Sequence, residues 1–244
     1  MASIENVDEL IKDICNDLLA GKRMEGLSVE AIILTGSFVH GQIHERSDID
    51  IFVVVKEKME YIRHITFYKK QKLIQLRVCP CNKFIENCLN YERKRPAAYA
   101  CKVLYDNSGQ CTKAITESRQ FLELGPKKME PQLHEKLKHT IKNEMSTLEG
   151  LIYSKNYLSA FLLINELVCM NIDYYNNKNN YWMTNNNYLF SELKCHNEEI
   201  YSLAKNIIFD SDIDMKVSNL NELCNLVIEN YEELSGEYVY DEAI

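Results

Sequence analysis

The chain has 244 residues, of which 46% are hydrophobic and 26% charged, and its formal net charge at pH 7 is −8. This composition is typical of a folded globular protein and excludes a largely disordered one. No uninterrupted apolar run approaches roughly 18 residues, and the N-terminus lacks the basic and apolar regions of a signal peptide, so neither a membrane span nor export is predicted. Nine scattered cysteines then favour reduced thiols and a cytoplasmic location.

Helix and strand patterns alternate in the first half of the chain. Five apolar residues recur at helical spacing and predict an opening helix that ends near Gly21: Ile4, Val7, Ile11, Ile14 and Leu18. Short apolar runs predict buried strands at 31–35 and 50–55, an alternating segment predicts one at 73–78, and another is predicted at 102–105. Helical patterns at 84–91 and 114–122 fill the gaps.

The second half of the chain shows a helical pattern in place of alternating helices and strands. Gly125-Pro126 is the strongest boundary signal, and from Pro131 onward the apolar spacing is helical. Asn-rich stretches at 176–180 and 185–187 are interpreted as loops. The sequence therefore predicts an α+β protein, in which an N-terminal domain with a mixed sheet (1–125) precedes an all-α helical-bundle domain (126–244).

Polar chemistry is concentrated between 32 and 55, where one predicted strand ends at Gly36-Ser37 and the next begins at Asp48-x-Asp50. Alternation along a strand places both aspartates on one face. Two carboxylates so close repel each other unless a cation lies between them, which predicts a site for Mg²⁺ or Mn²⁺. Gly36 would let the backbone approach a phosphate, and Ser37 would offer a hydroxyl at the start of a short helix.

This arrangement resembles the DNA polymerase beta-type nucleotidyltransferase superfamily. Its signature is a Gly-Ser pair after a strand, then a spacer of similar length, then Asp-x-Asp opening the next strand. The resemblance implies that Gly36 and Ser37 hold the triphosphate of ATP, and that Asp48 and Asp50 bind the metal and act in catalysis. The implied reaction transfers AMP from ATP to a hydroxyl acceptor and releases pyrophosphate. Small bacterial relatives with a helical C-terminal domain often modify antibiotics, so the resemblance suggests an acceptor such as an aminoglycoside.

One departure from the superfamily pattern concerns a third carboxylate, which active members usually carry on a neighbouring strand. The predicted strand at 73–78 presents Gln75 and Arg77 on its polar face, and neither can act as a base near pH 7. Glutamates of the helical domain are alternative sources of that carboxylate: Glu144, Glu149 and Glu166. The gap also favours an alternative function, a regulatory or antitoxin-type module that binds nucleotide with weak or no catalysis.

The tetrapeptide Ser-Asp-Ile-Asp occurs a second time, at 211–214. There it has neither a preceding Gly-Ser pair nor a following apolar strand, so a helix cap or polar turn is predicted. The surrounding strands, and not the tetrapeptide itself, therefore carry the prediction of a site.

Charge is distributed unevenly along the chain. Residues 56–102 contain 12 Lys or Arg against 4 Glu, whereas residues 197–244 contain 12 acidic residues against 2 lysines. The basic segment permits phosphate contacts, including contacts from Arg93, Arg95 and Lys102, but the overall acidity argues against extended nucleic-acid binding. The acidic end would attract a polycationic acceptor. The predicted partners are thus a nucleoside triphosphate and a small-molecule acceptor, with no membrane and with oligomerisation left open.

Overall fold

The structure is a computed structural model that describes residues 5–40, 47–92, 100–183 and 186–234. Contacts divide the chain into two compact units, residues 1–124 and 125–244. The first unit contains a mixed five-stranded sheet with helices, and the described part of the second is helical. The α+β fold class predicted from the sequence is confirmed.

The elements of the first unit follow in chain order. They are α1 (Glu5–Leu19), β1 (Val29–Thr35), α2 (Ser37–His40), β2 (Ile49–Val55), β3 (Arg63–Lys69), β4 (Lys72–Pro80), α3 (Cys81–Leu89), β5 (Lys102–Asp106) and α4 (Gln110–Leu124). The strand order across the sheet is β3-β4-β2-β1-β5. Strands β2 and β4 are parallel, and the other neighbouring pairs are antiparallel.

Apolar residues cover both faces of the sheet. On one face, Ile49, Ile51 and Val53 of β2 pack with the apolar stripe of α1, including Ile14 and Leu18. On the other face, α3 and α4 cover the part of the sheet that includes Ala31, Ile33, Val54 and Cys79. Burial of these side chains is the main favourable contribution to folding. The side chains of Asp50 and Gln75 lie on this second face, because β2 and β4 alternate between the two sides.

Strand β3 was not predicted from the sequence. It forms a hairpin with β4 through Lys70 and Gln71, both of which have positive φ, 47° and 64°. Two-residue hairpin turns of this kind are usually recognised by Asn-Gly or Asp-Gly, and neither is present here. The turn signal was therefore missing although the strand alternates regularly, with exposed His64, Thr66 and Tyr68 between partly buried residues.

The second unit contains α5 (Pro131–Tyr153), α6 (Tyr157–Lys178), α7 (Asn186–His196), α8 (Glu198–Phe209), α9 (Ile213–Val227) and a 3₁₀ turn at Tyr231–Glu233. One apolar core joins them, including Leu148, Leu167, Ala204 and Leu223. The prediction of a loop at 176–180 was wrong for its first residues, since α6 continues to Lys178 and buries Asn176. No helix in the described parts of the chain is long and apolar enough to cross a membrane.

Candidate nucleotide-binding site

The end of β1 and the start of β2 lie side by side, because the two strands are antiparallel neighbours. Thr35 is opposite Asp50, and its hydroxyl donates to the Asp50 carbonyl oxygen at 3.4 Å. Gly36 and Ser37 therefore follow at the same end of the sheet as Asp48. Helix α2 begins at Ser37, as the sequence predicts. The structure thus brings the four predicted site residues to one end of the β1–β2 pair.

Gly36 adopts a left-handed conformation, with φ at 75°. A Cβ atom at this position would overlap the Asp50 Oδ2 atom and lie 3.2 Å from its Cγ atom. The sequence-based reason for glycine was access of the backbone to a phosphate. The structure adds a different reason, because only a residue without a side chain leaves room for the Asp50 carboxylate.

Asp48 and Asp50 flank Ile49, whose side chain is buried on the opposite face of β2. Burial raises the pKa of Asp50 above its ordinary value, and the negative charge of Asp48 raises that pKa further. The guanidinium group of Arg77 opposes both effects. The two carboxylates therefore repel each other as predicted, and a cation between them would relieve that repulsion.

Gln75 occupies the neighbouring position on β4, directly opposite Asp50 in the parallel pairing. Its side-chain amide donates a hydrogen bond to Asp48 Oδ2. An amide therefore occupies the position where active members of the superfamily usually carry a third carboxylate. Across residues 5–40, 47–92, 100–183 and 186–234, no three or more His, Cys, Asp or Glu side chains form a group that could hold a metal ion.

Ser37 contributes a polar atom without a partner. Its Oγ atom is buried and makes no hydrogen bond within the structure as described. Buried hydroxyls normally have a partner, so an orphaned one in the residue that follows Gly36, against which the Asp50 carboxylate packs, indicates a place for a bound group. The residues present fit a divalent cation with a nucleotide: two hard carboxylate donors, with the remaining ligands left to water and to phosphate oxygens.

Two other residues singled out in the sequence, Asp212 and Lys102, have described positions. Asp212 is the N-cap of α9 and accepts hydrogen bonds from the backbone N–H groups of Asp214 and Met215, as predicted for the second tetrapeptide. Lys102 begins the edge strand β5 and pairs with Leu34, at the end of the sheet where Gly36 and Ser37 follow β1. Arg93 and Arg95 lie outside the described residues.

The family comparison matches the segment that holds these residues. Residues 11–103 match a family model described as a nucleotidyltransferase domain. The segment is similar to nucleotidyltransferase domains. The resemblance to the DNA polymerase beta-type superfamily that the sequence suggested is thereby confirmed for this part of the chain, which includes Gly36, Ser37, Asp48 and Asp50.

A solved structure extends the comparison of the fold. The chain is similar to a nucleotidyltransferase-like protein from Exiguobacterium sibiricum 255-15, with a TM-score of 0.51 and 8% sequence identity. The likeness covers 88% of this chain and 75% of that one. At this identity the comparison supports the fold alone. No match was found among curated protein sequences.

Sequence reasoning missed the side chains of β3 that continue, beyond the aspartates, the sheet face that carries Asp50 and Gln75. Because β3 was not predicted, its exposed residues were not placed beside β4. In the structure His64 is opposite Arg77, and Thr66 is opposite Gln75. The regular alternation from Arg63 to Lys69 was the available signal for this strand.

Proposed function

We propose that the chain transfers AMP from ATP to a hydroxyl acceptor, using Mg²⁺ or Mn²⁺, and releases pyrophosphate. One observation carries the proposal: the interacting carboxylates of Asp48 and Asp50 lie where Asp50 packs against Gly36, and the next residue, Ser37, has a buried hydroxyl with no partner among the described residues. The match of this segment to nucleotidyltransferase domains supports it.

Each residue of the site has a distinct part in this reaction. Asp48 and Asp50 would hold the metal, which when bound neutralises phosphate charge and orients the reacting oxygens. Ser37 would donate its hydroxyl to a phosphate oxygen of ATP. Gly36 keeps the space that the Asp50 carboxylate occupies. The acceptor oxygen forms a bond to the α-phosphorus as the bond to pyrophosphate breaks, and the acceptor proton passes to solvent, because neither Gln75 nor Arg77 can accept it.

Pyrophosphate release is the direct test. The full chain is incubated with ATP, Mg²⁺ and a panel of hydroxyl acceptors, including aminoglycosides, which the acidic segment 197–244 would attract. We expect acceptor-dependent release that disappears in Asp50→Asn and without a divalent metal. Release that persists in Asp50→Asn would contradict the proposal.

Gln75 favours a second candidate function, a nucleotide-binding module with little catalysis. Its amide contacts Asp48 where a further carboxylate would serve a more active enzyme. Under this alternative the wild-type chain binds ATP with Mg²⁺ but releases pyrophosphate slowly with every acceptor. The variant Gln75→Glu separates the two functions: an increase in turnover of tenfold or more indicates that the amide limits catalysis, whereas a decrease indicates that Gln75 already suits an active site.

A further inference from the structure

The exposed face of β4 and β3 continues directly from the aspartate pair. Strand register places side chains in two rows across β2, β4 and β3. The first row contains Asp50, Gln75 and Thr66, and the second contains Phe52, Arg77 and His64. We call these two rows the polar sheet face. It lies on the side of Asp50 away from Gly36 and Ser37, because β2 separates β1 from β4.

Arg77 is the distinctive charge on the polar sheet face. Its side chain is exposed, and its guanidinium carbon lies 5.6 Å from the centroid of the Phe52 ring, where cation–π attraction favours it. None of the ion pairs formed between described residues involves Arg77. Its planar fork of N–H donors therefore forms no ion pair among the described residues, and its charge acts on Asp50 by opposing the rise in the pKa of that carboxyl.

The charge of the polar sheet face is suited to an anion. Apart from Asp50, its two rows contain no carboxylate, and its one permanent cation is Arg77. A guanidinium recognises phosphate with two parallel hydrogen bonds, and an aromatic ring beneath it holds its plane in position. A polycationic acceptor would meet no carboxylate on these rows other than Asp50.

The strand order separates this anion site from the place proposed for the triphosphate. Ser37 follows β1, whereas Arg77 is on β4, two strands away, which corresponds to about 10 Å across the sheet. A triphosphate held at Ser37 and an anion held at Arg77 would thus approach the aspartates from opposite sides.

We infer that Arg77 is a specificity-determining residue that binds a phosphate group of the acceptor, so that the acceptor class is a hydroxyl compound carrying a phosphate. The inference deepens the proposed function. It rests on that function in one respect, namely that the phosphate compound is the acceptor of the transferred group. The binding of phosphate at Arg77 stands independently, because it requires no turnover.

The test uses inorganic phosphate as the probe and the full chain as the protein. Phosphate binding is followed by ³¹P line broadening, first alone and then with Mg²⁺ and a non-hydrolysable ATP analogue present. Arg77→Gln is compared with Arg63→Gln. Arg63 is the matched control, since it lies one register position away on β3, faces the other side of the sheet and pairs with Glu25 at 2.8 Å.

We expect Arg77→Gln to weaken phosphate binding at least fivefold, with or without the analogue, and to change the affinity for the analogue less than twofold. Arg63→Gln should change neither affinity. Equal phosphate binding by wild type and Arg77→Gln would overturn the inference, as would equal losses in the two variants. If the analogue displaces phosphate, or Arg77→Gln weakens the analogue as strongly, the phosphate recognised belongs to the nucleotide and the acceptor assignment is wrong.

Failure of the inference about Arg77 can be distinguished from failure of the proposed function. If the wild-type chain binds no Mg·ATP, phosphate binding without the analogue still reports on Arg77. If Arg77→Gln leaves phosphate binding unchanged while the wild-type chain binds and turns over Mg·ATP, the proposed function stands. Only the inference that the acceptor carries a phosphate is then refuted.

Discussion

Gly36 and Asp50 depend on each other although they are fourteen positions apart in the chain. The backbone at Gly36 is left-handed, which an L side chain rarely adopts, and the space beside it holds the Asp50 carboxylate. Substitution at Gly36 therefore has two separable consequences: strain in the backbone and displacement of a proposed metal ligand.

Gly36→Ala should abolish Mg·ATP binding and lower the free energy of unfolding by about 1–3 kcal/mol, the usual cost of strained backbone. Gly26→Ala isolates the strain, since Gly26 also has positive φ but a Cβ there meets nothing within 4 Å. We expect Gly26→Ala to destabilise the chain and to leave nucleotide binding intact. Calorimetric titration and urea unfolding measure both effects, and full ATP binding by Gly36→Ala would refute the coupling to Asp50.

Ser37 and Ser118 provide a matched pair of buried hydroxyls. Both Oγ atoms are buried and lack a hydrogen-bond partner among the described residues, but only Ser37 follows Gly36, against which the Asp50 carboxylate packs. Removing an unsatisfied buried hydroxyl relieves a desolvation cost, so both Ser→Ala changes should stabilise the nucleotide-free chain by about 1 kcal/mol. Ser37→Ala alone should weaken Mg·ATP binding, by about tenfold. Equal ATP affinities in the two variants would show that Ser37 does not contact the nucleotide.

At the scale of elements, α1 is tied to the β3–β4 hairpin by Asp17. Its carboxylate contacts Lys69 Nζ on β3 and Lys22 Nζ, each at 2.7 Å. Hydrogen bonds from Lys22 and Lys69 lower the pKa of Asp17 to about 2. The pairing is solvated, so its contribution is modest and should be screened by salt.

The pH dependence of this contribution follows from the sign of the shift. Because the pKa of Asp17 is lower in the folded chain than in the unfolded one, the ionised carboxylate stabilises the fold fully above about pH 4, and this contribution declines as pH falls toward about 2. Asp17→Asn should therefore lower the free energy of unfolding by a constant amount from pH 7 to 5, and by less below pH 4. Asp8→Asn, an exposed control on the same helix, should not change it; a pH-independent deficit in Asp17→Asn would contradict this account.

The hairpin turn itself is strained by its sequence. Gln71 has φ at 64°, a conformation that glycine adopts readily and glutamine adopts rarely. Gln71→Gly should stabilise the chain by about 1 kcal/mol, whereas Gln120→Gly on the exposed face of α4 should destabilise it by a similar amount. Urea unfolding measures both changes in stability. A loss of stability in Gln71→Gly would show that the backbone at Gln71 is not strained.

For the whole molecule, the parts visible in the sequence are those fixed by local patterns. Apolar periodicity predicts α1, β1, β2 and β4, and the Gly-Ser and Asp-x-Asp spacing predicts residues that the structure brings to one end of the β1–β2 pair. The features that the sequence does not predict depend on pairing between strands that are distant in the chain. The parallel register that sets Gln75 opposite Asp50, and the neighbour relation of Arg77 and His64, arise between strands that no local signal aligns. The prediction of a loop at 176–180 was wrong for residues 176–178, because packing of α6 in its core overrides the low helix propensity of asparagine.

Calorimetric titration of Mg·ATP into four proteins tests the central claim most directly. Wild type is compared with Asp48→Asn, Asp50→Asn and the double variant Asp212→Asn/Asp214→Asn, which alters the same tetrapeptide outside the site and keeps an asparagine as the α9 N-cap. The account predicts that each site variant weakens binding tenfold or more, a loss of about 1.4 kcal/mol, and that the double variant stays within twofold of wild type. Unchanged affinity in both site variants would contradict the assignment of Asp48 and Asp50 as the metal and nucleotide site.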